Sequence, residues 1–245
     1  MSIAGLRADA GACFDAALAA VEPRHLVKRR LGAAAGAIAL RDADGGTLAR
    51  HDGPVLLVSV GKAAPGMADG VVTALGARIS MGFVLAPHDV TGDAPPALLV
   101  RHGGHPTPDR AGASATEEIL RAVVAARAPT LVILALSGGA SALLVAPAAG
   151  LTLDDKHALA RRFLAAGADI HAFNTVRKHC SRVKGGGLAR AAANSAGVWT
   201  LALSSKQARM PRGMAGISRR TVWPARRAAG RSFSWRPLAH RAARR

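Results

Sequence analysis

Short apolar runs alternate with helix-spaced segments along most of the chain. Pro54–Val60 (PVLLVSV), Gly82–Ala86 (GFVLA), Ala97–Val100 (ALLV), Thr130–Leu136 (TLVILAL) and Gly197–Leu203 (GVWTLAL) are unbroken and mostly aliphatic. Runs of this kind suit strands covered on both faces of a parallel sheet. Between them, Met67, Val71, Val72 and Leu75 recur at helical spacing within 62–75, as do Ile119, Leu120, Val123 and Val124 after Glu117. Asp154–Ala166 reads as another helix, with Thr152 as its N-cap and Gly167 as its stop. Residues 2–21 place Leu6, Ala10, Cys13, Phe14, Ala17, Leu18 and Val21 on one stripe, which predicts an amphipathic helix. Arg7, Asp9 and Asp15 interrupt any signal-peptide core there. The alternation predicts an open, mostly parallel α/β sheet with helices on both faces, a three-layer arrangement. In such sheets ligands bind beyond the carboxyl ends of the strands.

The uncharged stretch Ala128–Leu153 is long enough to span a bilayer. It contains Pro129, Gly138, Gly139, Pro147 and Gly150, so a buried strand, a turn and a helix start describe it better. A cytoplasmic protein is expected. Two cysteines, Cys13 and Cys180, are too few for a disulfide framework.

The pattern stops near Ser204. Of 33 basic residues, eleven Arg and Lys206 lie in Lys206–Arg245, which holds no Asp or Glu. That segment therefore contributes +12 of the net charge of +18, and the other 21 basic residues share the body with all 15 acidic ones. Its apolar residues come singly or in pairs, broken by Pro211, Pro224 and Pro237. The expected organisation is a folded unit over 1–204 and a disordered, Arg-rich tail over 205–245. An arm that grips nucleic-acid phosphates is one reading of the tail. Translation of a GC-rich gene in a shifted frame is the other.

Two loops at predicted strand ends carry candidate chemistry. Gly61-Lys62 follows the first strand, and Ser137-Gly138-Gly139-Ala140-Ser141 follows the most apolar one. The second loop combines small residues, hydroxyls and a following helix start, a combination that cradles anions or simply makes a tight turn. Gly61-Lys62 is not a P-loop, because the upstream glycine spacing is wrong and Ala63 replaces the Ser/Thr. No GxGxxG follows a strand, which argues against dinucleotide binding. Asn174–Arg190 gathers Arg177, Lys178, His179, Arg182 and Lys184 ahead of three glycines. Helical spacing would bring 177, 178, 181 and 182 onto one cationic face, fit for a polyanion or for solvent. His102, His105 and His171 lack the spacing of a metal site.

Several ordered motifs resemble the type-2 glycerate kinase family, whose members also carry the label hydroxypyruvate reductase. They are VGKAAPGMA (Val60–Ala68), GGHPTPD (Gly103–Asp109), LSGGASALL (Leu136–Leu144), PAAGLTLDDKHAL (Pro147–Leu159) and GADIHAFNTVRKHCSRVKGGGLA (Gly167–Ala189). The match runs from about Leu6 to Ser204. The resemblance implies a Rossmann-like N-terminal domain and transfer of the ATP γ-phosphoryl group to the 2-hydroxyl of D-glycerate, with Mg²⁺ on the nucleotide. It implies Lys62 as the active-site lysine, Ser137, Gly138, Gly139 and Ser141 as the anion loop, and Arg177, Lys178 and Lys184 as the basic stretch. Ala140 stands for a third loop glycine, and Gly187 stands where the family commonly has Arg. After Ser204 the family continues with an acidic SDVPGDD-like segment and a second domain, whereas this chain continues Ser205-Lys206-Gln207-Ala208-Arg209. The expectation is a kinase impaired by that loss, with a shifted frame as the origin of the tail. Hydroxypyruvate reduction with NAD(P)H is the enzymatic alternative, and nucleic-acid binding through the tail the alternative of another class.

Overall fold

A computed structural model describes residues 2–34, 36–91, 94–203 and 222–224. The expectation of disorder over 205–245 therefore lies outside the described residues, apart from a short strand at Val222–Pro224.

The chain opens with α1 (Ile3–Ala20) and α2 (Pro23–Lys28), then an antiparallel meander of β1 (Leu31–Ala34), β2 (Ala37–Arg41) and β3 (Thr47–His51). A βα series follows: β4 (Val55–Val60), α3 (Ala64–Leu75), β5 (Ile79–Pro87), β6 (Leu99–Gly103), α4 (Arg110–Ala125) and β7 (Leu131–Leu136). Four short helices come next, α5 (Ala140–Leu143), α6 (Leu153–Ala165), α7 (Ile170–His179) and α8 (Gly187–Ala191), before β8 (Gly197–Ala202) and β9 (Val222–Pro224). The main sheet has the order β6-β5-β4-β7-β8-β9, parallel except for β9.

Every residue of β4 is buried, because both faces of the central strand are covered. Leu56, Val58 and Val60 face one side with Leu85 and Val132, against Ile119 and Val123 of α4 and Leu188 of α8. Val55 and Leu57 face the other with Ile133 and Leu201, against Met67 and Val71 of α3 and Leu31 and Ile38 of the meander. Ser59 is the polar exception in β4, and its hydroxyl is satisfied by donating to Ala64 O at 2.8 Å.

The predicted strands and helices of the parallel unit are present, with Ala97–Val100 displaced to Leu99–Gly103. The meander was not anticipated. Its strands are rich in Ala, Gly and Arg, and they hold together by covering α3 rather than by β propensity. The amphipathic reading of residues 2–21 yields a helix with no buried residue, so its apolar stripe faces outward. No helix among the described residues is long and apolar enough to cross a membrane.

Candidate active site

The chain runs from β4 outward through β5 and β6, then returns to place β7 on the other side of β4. The strand order reverses between β4 and β7, and the loops leaving these two strands meet there. Lys62 N donates to Gly138 O at 2.8 Å, Ala63 N to Ser137 Oγ at 3.1 Å and Ser137 N to Val60 O at 2.9 Å. Gly61 has φ +126°, and a Cβ there would overlap Ser137 Oγ and crowd the Ser137 and Gly138 carbonyls. Only glycine lets the two loops cross this closely. Gly139 has φ +88° and opens the short helix α5. The N–H groups of Gly138 and Gly139 donate to no backbone oxygen among the described residues, so both are available to an anion.

Beyond this loop lies a cleft of about 610 Å³, bounded by Ser137, Ser141, Arg177, Lys178 and Lys184 together with residues of α7. No carboxylate is among its described lining residues. Lys184 Nζ donates to Ser141 Oγ at 3.0 Å, to Leu144 O at 3.3 Å and to the Ser141 carbonyl. Arg177 reaches the same serine, with Nη2 at 3.3 Å from Oγ, and its guanidinium lies 5.2 Å over the Phe173 ring. Lys156 donates to Cys180 O at 2.9 Å behind this pair. Burial, then the charges of Arg177 and Lys156, pull the Lys184 ammonium down to about 7. Burial also lowers Lys156 and Arg177.

The structure thus brings Ser137, Ser141, Arg177, Lys178 and Lys184 to one cleft, while Lys62 lies beside the glycine loop and is not among the residues that line the cleft. A Cβ on Gly139 would lie 3.6 Å from Lys62 Cγ. The shared cationic face expected of 177, 178, 181 and 182 does not form. Helix α7 ends at His179, Ser181 is buried in a bridge to Pro147, and Arg182 turns away to Glu117 of α4 at 2.6 Å. At Gly187, a Cβ would overlap the Arg182 carbonyl, so the backbone leaves no room for the arginine common in the family. His171, Asn174 and Thr175 also line the cleft and were missed. With Lys178 they stand at i, i+3, i+4 and i+7, a polar helical face that the sequence does display.

Fold and site together define an open parallel α/β protein whose strand-order reversal opens onto a cleft that is cationic, with no carboxylate among its described lining residues. Residues 9–205 match a family described as a domain of unknown function, DUF4147. An Agrobacterium vitis protein named "Putative hydroxypyruvate reductase" is 38% identical over 73% of this chain and 37% of its own length. The D-glycerate 2-kinase of Thermotoga maritima is 37% identical over 54% of this chain and 32% of its own length. A crystal structure of glycerate kinase from Thermotoga maritima superposes with a TM-score of 0.60 at 35% identity, covering 63% of this chain and 37% of that one. The chain belongs to the type-2 glycerate kinase family. It spans less than two fifths of the length of these relatives.

Proposed function

We propose that the cleft is the phosphoryl-transfer site of a glycerate 2-kinase, with D-glycerate as acceptor and ATP as donor, held by a unit spanning residues 1–204. The observation that carries this reading is the convergence of Arg177 and Lys184 on Ser141, beside the free N–H groups of Gly138 and Gly139, where the strand order reverses. Phosphoryl transfer asks of a protein mostly positioning and neutralisation of developing charge. The glycine-loop N–H groups would hold phosphate oxygens, Lys184 and Arg177 would offset their charge, and Lys62 would face the acceptor carboxylate across the loop.

The described residues do not fit Mg²⁺. That ion takes carboxylate and water oxygens, and the cleft offers cations, hydroxyls and carbonyls. A reductase reading finds less support, since the turn from β4 into α3 is Gly61-Lys62-Ala63-Ala64-Pro65 with no glycine fingerprint for a dinucleotide.

Calorimetry of the full chain with D-glycerate and with ATP tests the proposal. Both ligands are expected to bind, and Arg177→Met or Lys184→Met to weaken ATP by about tenfold, the worth of one charge-assisted hydrogen bond. Transfer of labelled γ-phosphate to D-glycerate reads the reaction itself. Absence of binding by both ligands would overturn the assignment.

A further inference from the structure

The motif Gly103–Asp109 has no part in the site proposed above, yet its His105 lies against the glycine loop. A Cβ on Gly139 would lie 2.9 Å from His105 Cδ2 and 3.2 Å from His105 Nε2, so the imidazole and the stem of Lys62 border the same point over that glycine. His105 is half-buried. The neighbouring histidines are tied down: His88 to Asp109 at 2.7 Å, His102 to Pro87 O at 3.2 Å and His157 to Pro108 O at 2.8 Å. His105 alone of these four has no hydrogen-bond partner among the described residues. A half-buried imidazole with no protein partner leaves both ring nitrogens open to a ligand or to water.

Its loop is pinned on several sides. Asp109 caps α4 by accepting from Gly112 N at 2.7 Å and also accepts from His88. A Cβ on Gly104 would overlap Thr107 O, and one on Gly103 would lie 2.9 Å from Gly112 Cα. The side chain at 105 is therefore presented by a tightly packed turn.

We propose that His105 is a specificity-determining residue whose Nε2 hydrogen-bonds the 2-hydroxyl of a small hydroxy-carboxylate while Lys62 faces its carboxylate. The assignment rests on the glycerate reading above. Nε2 can accept from an O–H, which a lysine cannot do. A site built around that hydrogen bond disfavours an acid that lacks the hydroxyl.

Calorimetry of the full chain with D-glycerate and with 3-hydroxypropanoate, which lacks only the 2-hydroxyl, separates the possibilities. Wild type is expected to favour D-glycerate by about tenfold. His105→Leu brings the two acids within about twofold, with 3-hydroxypropanoate affinity unchanged, and His105→Asn keeps part of the preference. Should the leucine variant not fold, the wild-type His105 ring proton, followed by NMR, gives the answer: D-glycerate shifts it and 3-hydroxypropanoate does not. Equal binding of the two acids by wild type, or an undiminished preference in His105→Leu, overturns the role of His105 and leaves the glycerate reading standing. Binding of neither acid overturns both.

Discussion

Lys184 is a lysine whose charge the fold resists, because burial and two neighbouring cations outweigh the three oxygens it touches. Its folded pKa of about 7 lies well below the ordinary lysine value of 10.5. The native state therefore binds fewer protons than the unfolded chain between these values, and stability rises with pH across that window. The penalty is fully present below about pH 7, so Lys184→Met should raise the urea midpoint at pH 6 and change it little at pH 10. An anion entering the cleft restores the charge. Phosphate binding at pH 8 should take up as much as about one proton, measured by calorimetry in buffers of different ionisation enthalpy, and Lys184→Met should abolish the uptake. Gly61→Ala combines positive φ with overlap onto Ser137 and should cost about 2 kcal/mol or more in urea unfolding. The cations of this site were legible because Arg177 and Lys184 sit in a dense basic motif. Lys156 and His105 were not, since their relation to the cleft arises from contacts between segments distant in sequence.

Two helix caps show how far an element's neighbours decide its worth. Thr152 and Asp155 form a reciprocal capping box at the start of α6, with Thr152 Oγ1 accepting from Asp155 N at 3.1 Å. Asp109 caps α4 in the simpler way. Either cap is worth about 1 kcal/mol when replaced by Ala. Helix α4 buries Ile119, Leu120 and Val123 in the core, so Asp109→Ala should lower the global urea unfolding free energy by about that amount. No residue of helix α6 is fully buried, so Thr152→Ala should reduce its amide protection while leaving the global midpoint nearly in place. Despite the burial that acts to raise it, hydrogen bonds from Gly112 and His88 hold the Asp109 carboxyl below 3.8. Its stabilising contribution is present above that value and fades as pH falls through the lower folded pKa. The cap at Thr152 and the strand β7 could be read directly, because hydroxyl-capped starts and unbroken aliphatic runs are local signals. The end of α7 at His179 could not, since what stops it is the bridge between Ser181 and Pro147.

At the scale of the molecule, the reversal of strand order between β4 and β7 does most to place the candidate chemistry, and βα alternation announced the parallel sheet but not that reversal. The alternation could not give the order of the strands, which depends on which helix covers which face. Helix α1 stands apart from the cores on the two faces of the sheet, with Leu6, Phe14 and Leu18 all exposed. A helix of 18 residues that buries nothing is held by little beyond its own backbone ladder. Its melting should therefore be broad and separate from that of the sheet. On heating, part of the far-ultraviolet helical signal should decline gradually before the main transition, and the two should not superimpose. Deleting residues 2–21 should remove the early decline and leave the later midpoint where it was.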